Sequence, residues 1–297
     1  MHGMGDNLHQ RAVVRQLSEN YTVFLETSWP QIYHDLIDVL PIDKRTDLRT
    51  QAKNAEVSAF YNGPLPNSYA LDLIKVNYDG SKGSVLNSMM DNTGTDFERQ
   101  DFSLPIPSEW YSKTPLIDKN KPLLIYRPLV VRKEFGSGRK RNPDAKHYYD
   151  LFQAIRDDYF VISVADIDDE NEWIVSYPVD ADLAFHAGEL KFEALAALFK
   201  LADLVYTSPG FATILAKAVG TPAITVFGNY EDSKSFSAGD TPACMIDTQD
   251  RCRHFAEPCE CSKLIDMDEA HAKLKQFLNN LGSDSPLLQQ VRNQPQP

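Results

Sequence analysis

The sequence predicts an α/β protein of two domains built on parallel sheets. Two observations carry that reading. Residues 182–228 run helix, strand, tight turn, helix, Gly-Thr-Pro stop and strand, which is a βαβ unit preceded by a helix. The length of 297 residues, 42% of them hydrophobic, is enough for two ordinary cores.

In chain order, His2 to Asp6 is a Gly-rich loop and Asn7 to Leu17 a helix, with Leu8, Ala12, Val13, Val14 and Leu17 supplying its apolar side. Asp6 stands where a carboxylate caps free helix N–H groups. Tyr21 to Leu25 reads as a strand, and Trp29 to Leu40 includes a short helix. Pro41 to Glu56 is charged and poorly periodic. Leu71 to Tyr78 alternates as a strand does, and Lys82 to Met90 is helical. Trp29, Tyr33 and Tyr61 suit stacking on sugar rings or bases, but buried core is the commoner fate of such aromatics.

Leu104 to Pro122, with four prolines, is the linker, so the domains divide at 1–115 and 116–275, with a C-terminal helix end and tail at 276–297. Leu123 to Leu129 opens the second domain as a strand with Arg127 near its end. Between Arg132 and Lys146 stand six Lys/Arg against Glu134 and Asp144. Such a run is ordinarily a solvated loop, yet it follows a strand end where ligand crevices form. Tyr148 to Arg156 is an amphipathic helix and Tyr159 to Ala165 a buried strand. Asp166 to Glu172 is an acidic, solvent-exposed loop, and Trp173 to Tyr177 a strand or loop edge.

The anchor unit follows. Glu189 caps a helix at Lys191 to Ala202, whose apolar face is Phe192, Leu195, Ala196 and Phe199. His186 reads as a loop or core histidine. Leu204 to Tyr206 is a strand. Ser208 caps the next helix, Pro209 sits early in it, and Gly220 with Thr221-Pro222 ends it. Ala223 to Phe227 is apolar throughout, as in a strand buried on both faces. A strand, tight turn and helix start leave N–H groups pointing outward, and a phosphate is their natural partner. Asn229 to Asp232 begins a loop over that site. Asp266 caps a helix from Met267 to Leu281, and Gly282 stops it.

The net charge of −12 argues against a generic nucleic-acid or anionic-membrane binder. No apolar run reaches membrane-span length and the N-terminus lacks a signal-peptide pattern, so a cytoplasmic, reducing location is expected. Cys244, Cys252, Cys259 and Cys261 with His254 have ligand types that suit zinc but not the usual spacing; reduced loop cysteines are the alternative, and no metal is expected.

The segments "GEL", "ADLVYTSPGF" and "LAKAVGTPAITVFG", with "GMGDNLH" from Gly3 to His9, resemble the heptosyltransferase-like glycosyltransferases of family 9, over residues 116–275 and 3–17. The resemblance implies a GT-B fold, two Rossmann-like domains facing a central cleft. It implies an inverting, metal-independent transfer of a sugar from a nucleotide-sugar donor to a glycan hydroxyl, with no cofactor. Asp6 is then the general base. Arg127, Lys133, Glu189, Ser208, Pro209, Gly210, Phe211, Ala212 and Thr213 bind the donor. Two alternatives stay open. The basic loop fits a glycosyltransferase acting on hydroxylated bases of nucleic acid. A non-catalytic nucleotide-sugar or glycan-binding protein of the same fold is the other. Ala212, Thr213 and Ile214 stand where the family often has a histidine, and only Met1 and His2 precede the loop where relatives have a strand.

Overall fold

The structure is a computed structural model that describes residues 3–67, 72–79, 83–117, 121–133, 141–250, 252 and 262–284. The chain divides into two compact units, Met1–Pro105 with Lys234–Asp240, and Ile106–Ser233 with Thr241–Pro297. The expected division at 115/116 falls inside the second unit.

In the first unit, α1 (Met4–Ser18), β1 (Val23–Thr27), a 3-10 turn (Pro30–Tyr33), β2 (Val39–Asp43), α2 (Arg49–Glu56) and α3 (Val85–Thr93) follow one another. β1 and β2 pair in parallel. Leu8, Ala12, Val13 and Val14 of α1 are at most 1% exposed, as are Leu86, Met89 and Met90 of α3, which packs beside it. Each fully buried aliphatic side chain stabilises the fold by about 1.5–3 kcal/mol. Arg11 enters the same core, and each of its three side-chain nitrogens has a partner there. Its Nε and Nη1 donate to the carbonyls of Ser103 and Ile32, both at 2.6 Å, and Nη2 pairs with Asp35 at 2.5 Å.

Three expectations change here. The helix begins at Met4, so Asp6 lies in its first turn instead of a preceding loop, and Gly3 is the N-cap. Pro41–Glu56 holds the end of β2 and all of α2: Pro41 interrupts the short apolar strand, and the polar and charged residues of α2 hid the helix from a periodicity reading. Residues 72–79 form no strand; Leu73 is 96% exposed, so alternation found no sheet to bury against. Trp29 and Tyr33 are core residues, the commoner fate of such aromatics.

The second unit contains α4 (Ser108–Tyr111), β3 (Leu123–Tyr126), β4 (Val130–Arg132), α5 (Ala145–Gln153), β5 (Phe160–Val164), β6 (Glu172–Ile174), β7 (Leu183–Phe185), α6 (Phe192–Leu201), β8 (Leu204–Thr207), α7 (Phe211–Val219), β9 (Ala223–Val226), β10 (Ala243–Ile246) and α8 (Met267–Asp284). Six strands form one sheet in the order β10-β9-β8-β3-β5-β7, with every pair parallel. Numbered by chain order within this sheet, that is 3-2-1-4-5-6 read from β7, the doubly wound arrangement. β4 and β6 form a separate antiparallel ribbon.

Helices cover both faces. Leu124, Tyr126, Leu204, Tyr206, Ile224 and Val226 share a core with Tyr148 and Phe152 of α5 and Leu274 of α8. The alternate residues point the other way, where the Thr225 hydroxyl meets that of Thr213 on α7 at 3.1 Å. Burial on both faces explains why these strands are continuous apolar runs. The helix caps follow local chemistry. Asp144 accepts the N–H groups of Lys146 and His147 at the start of α5, and Asp266 accepts that of Glu269 in α8. Gly220 ends α7 at φ 77°. Gly282 does not stop α8, which continues to Asp284. The linker candidate 104–122 holds α4, whose Trp110 packs edge-on against Phe192 at 6.0 Å. β7 was not foreseen: three residues behind an acidic shoulder carry too little pattern to read.

Candidate functional site

β3 and β8 are neighbours in the sheet, but the chain leaves them toward opposite edges. After β3 it proceeds to β5 and β7; after β8 it proceeds to β9 and β10. Loops departing in opposite directions open a crevice at the carboxyl ends of such a pair, where ligands of open α/β sheets bind. The residues there are Arg127, directly after β3, and Ser208-Pro209-Gly210-Phe211, directly after β8.

The turn after β8 differs in detail from its expected form. Gly210, not Ser208, is the N-cap of α7, and Pro209 precedes the helix. The Gly210 φ of 149° with ψ of −157° is a backbone region essentially confined to glycine. A Gly N-cap offers no side-chain oxygen. The first backbone bond of α7 runs from the Ile214 N–H to the Gly210 carbonyl at 3.4 Å, so the N–H groups of Phe211, Ala212 and Thr213 have no acceptor within the helix. They are the positive end of the helix dipole. The side chains of Ala212 and Thr213 do not face a ligand. Ala212 is 2% exposed, and the Thr213 hydroxyl is buried against Thr225. Only their backbone serves the site.

Arg127 is fixed from several directions. Its N–H continues the ladder to the Tyr206 carbonyl at 2.9 Å, and its carbonyl accepts the Tyr148 hydroxyl at 2.6 Å. Its guanidinium lies 5.2 Å from the centroid of the Phe211 ring. Nη1 donates to the Val164 carbonyl at 3.0 Å and Nη2 to Glu172 at 3.1 Å. Burial lowers its pKa, and the Glu172 charge opposes that.

The remaining predicted donor residues are engaged with near neighbours. Lys133 is exposed, and its N–H bonds the Asn171 carbonyl at 2.8 Å. Glu189 does not cap α6; its carboxylate accepts the Ala187 N–H at 2.8 Å, and Lys191 is the N-cap. The basic loop is less cationic than its composition. Arg132 pairs with Glu172 at 2.6 Å, Arg141 with Glu231 at 2.8 Å and Lys146 with Asp150 at 2.5 Å. Residues 134–140, including Arg139 and Lys140, lie outside the described residues.

Three features were missed. Glu172, expected on an exposed loop, is 2% exposed and takes two arginines. His186 bonds the Ser163 hydroxyl at 2.7 Å; burial and then the Arg127 charge lower its pKa. Gly228, after β9, lies so close to the 141–142 backbone that a Cβ would stand 2.5 Å from the Arg141 carbonyl oxygen. The partners are distant in sequence, so no local signal marks them.

In the first unit, Asp6 stands beside a buried polar knot. The Asn7 Oδ1 accepts the Thr27 hydroxyl at 2.8 Å and the Tyr33 hydroxyl at 3.1 Å, and Asn7 Nδ2 donates to the Gly3 carbonyl at 2.9 Å. Burial raises the Tyr33 pKa, with Arg11 lowering it and Asp6 raising it. That knot holds the first turn of α1, which presents Asp6.

Of the cysteine window, Cys244 and Cys252 are buried free thiols, and His254, Cys259 and Cys261 lie outside the described residues. Among the described residues no cluster of three metal-ligating side chains occurs, and no helix is long and apolar enough to cross a membrane.

A doubly wound domain with a phosphate-type turn at its switch point, joined to a second α/β unit over this length, defines the GT-B class of fold. Among solved structures, the chain is similar to a family 9 glycosyl transferase from Veillonella parvula, with a TM-score of 0.61 at 12% identity over 94% of this chain and 95% of that one. It is also similar to the iron-containing dodecameric glycosyltransferase TibC of enterotoxigenic E. coli (TM-score 0.60, 14% identity, 95% of this chain and 74% of that one). A third is E. coli ADP-heptose lipopolysaccharide heptosyltransferase II (TM-score 0.54, 13% identity, 93% and 97%). At these identities the likeness is one of fold. No family model and no curated protein matches the sequence.

Proposed function

We propose that the protein is an inverting glycosyltransferase that moves a sugar from a nucleotide-sugar donor to a hydroxyl of a glycan. The observation that carries the reading is the switch-point constellation in a GT-B fold: N–H groups without helix acceptors at the start of α7, with the Arg127 guanidinium against Phe211. These groups suit a nucleoside diphosphate, which is the leaving group of such a transfer. The Asp6 carboxylate takes the proton from the acceptor hydroxyl, and that oxygen attacks the anomeric carbon. The bond from that carbon to the phosphate oxygen breaks, and the nucleoside diphosphate departs with the electron pair. One displacement inverts the centre. Arg127 and the α7 dipole meet the developing charge, so no divalent cation is invoked in the step.

The structurally similar heptosyltransferase II carries ADP-heptose in its name, so that donor heads the panel. The test is binding and turnover with a nucleotide-sugar panel in the presence of EDTA, with Asp6→Asn beside the parent. The expected outcome is donor binding by both proteins and transfer by the parent alone, reduced at least about 100-fold in the variant. Equal turnover removes Asp6 as the base. An absence of binding by the parent to any donor removes the reading.

A further inference from the structure

Glu172 is a buried carboxylate of the second unit to which the proposed transfer gives no part. Its side chain is 3% exposed. Its two oxygens hold two different arginines: Oε1 meets Arg127 Nη2 at 3.1 Å, and Oε2 meets Arg132 Nε at 2.6 Å. The two arginines belong to different sheets. Arg127 follows β3 of the large sheet, whereas Arg132 ends β4 of the ribbon, directly opposite Glu172 on β6. Glu172 therefore ties the ribbon to the switch point.

The charge balance is informative. Among the described residues, two guanidinia share one carboxylate, which leaves a net +1, and the Arg127 side of the cluster is buried, where uncompensated charge is costly. The donor count agrees. A guanidinium has five N–H groups. Those of Arg127 with acceptors among the described residues are one to Val164 and one to Glu172. The rest of this group, with a side chain 8% exposed, lies against the first residue of α7, where three further N–H groups lack helix acceptors. The surplus charge and the surplus donors coincide in one place.

We propose that Glu172 is a positioning residue of the anion site: it orients Arg127 and Arg132 so that both guanidinia act on one diphosphate bound at the start of α7. The proposal rests on the reading of that turn as the donor-phosphate site. It makes a prediction whose sign is opposite to simple electrostatics. Removing a carboxylate near an anion site makes the site more positive, and charge alone then tightens anion binding. A positioning role weakens it, because the freed guanidinia no longer present fixed donors.

The probe is ADP, with inorganic pyrophosphate beside it, measured by calorimetry on the full chain. Glu172→Gln is expected to weaken both at least about tenfold, the scale of one charge-assisted hydrogen bond. Arg132→Gln is expected to weaken them similarly, and the double variant to be no worse than Glu172→Gln alone. That non-additivity shows that the two residues act as one unit, and the loss of affinity on removing a negative charge separates positioning from charge alone. Unchanged or tighter binding in folded Glu172→Gln overturns the proposal. If Glu172→Gln does not fold, Arg132→Gln decides alone, since its side chain is 21% exposed and its loss spares the core; unchanged binding there overturns it. A parent protein that binds neither ADP nor pyrophosphate overturns the underlying donor-site reading instead, so the two failures are distinguishable.

Discussion

Gly228→Ala places a methyl carbon 2.5 Å from the Arg141 carbonyl oxygen and 2.6 Å from that of Asn142. Both obstacles are backbone, so no side-chain rotation relieves them. The strand end or the 141–142 segment must move. Overpacking of this kind costs about 1–3 kcal/mol. The Gly228 N–H donates to the same Arg141 carbonyl at 3.2 Å, and displacement weakens that bond, worth about 1 kcal/mol. The sum is about 2–4 kcal/mol. For a unit of this size it lowers Tm by about 5–15 °C in calorimetry or circular dichroism. Gly210→Ala is the control, because nothing lies within 4 Å of its Cβ and only the φ of +149° opposes the change. Its cost is backbone strain alone, about 1–3 kcal/mol. A Tm for Gly228→Ala within 2 °C of the parent would refute the close approach of these two segments.

Asp35 has a lowered pKa: burial raises it, but the hydrogen bond and charge of Arg11 outweigh that. A depressed carboxylate stabilises the fold above its unfolded value and loses that contribution as pH falls through its folded value. Asp35→Asn should therefore cost about 1–2 kcal/mol near pH 7, less than a fully buried pair because the Asp35 side chain is 24% exposed. The gap from the parent should narrow below about pH 4; a gap that is constant with pH in urea titrations counts against the pairing. Cys244, whose thiol burial pushes up to about 11, should have about a thousandth of its thiol ionised at pH 8. Thiol reagents should label it only as the protein unfolds, and rapid native labelling would contradict its burial.

The amino-acid sequence by itself determined the elements of the second unit that are buried on both faces. β5, β8 and β9 are short apolar runs bounded by breakers, and α6 and α7 carry helical spacing, so local pattern sufficed. It also marked the turn at Ser208-Pro209-Gly210, because Gly and Pro punctuate the chain whatever surrounds them. The first unit was less legible. β2 is a five-residue strand interrupted by Pro41, α2 is mostly polar and charged, and residues 72–79 have strand-like alternation without a strand. Alternation favours a strand only where a neighbour exists to bury one face.

The tertiary structure alone decided which strand ends meet. Strand order places β3 beside β8, although 77 residues of chain separate Tyr126 and Leu204 on a direct count of the intervening positions. That adjacency brings Arg127 to Phe211 and makes the switch point. The same folding buries Glu172, which composition had assigned to solvent along with its acidic neighbours. Its partners are 45 residues away at Arg127 and across a ribbon at Arg132. A charged residue announces its charge in the sequence, but whether water or another charge satisfies it depends on what the fold packs against it.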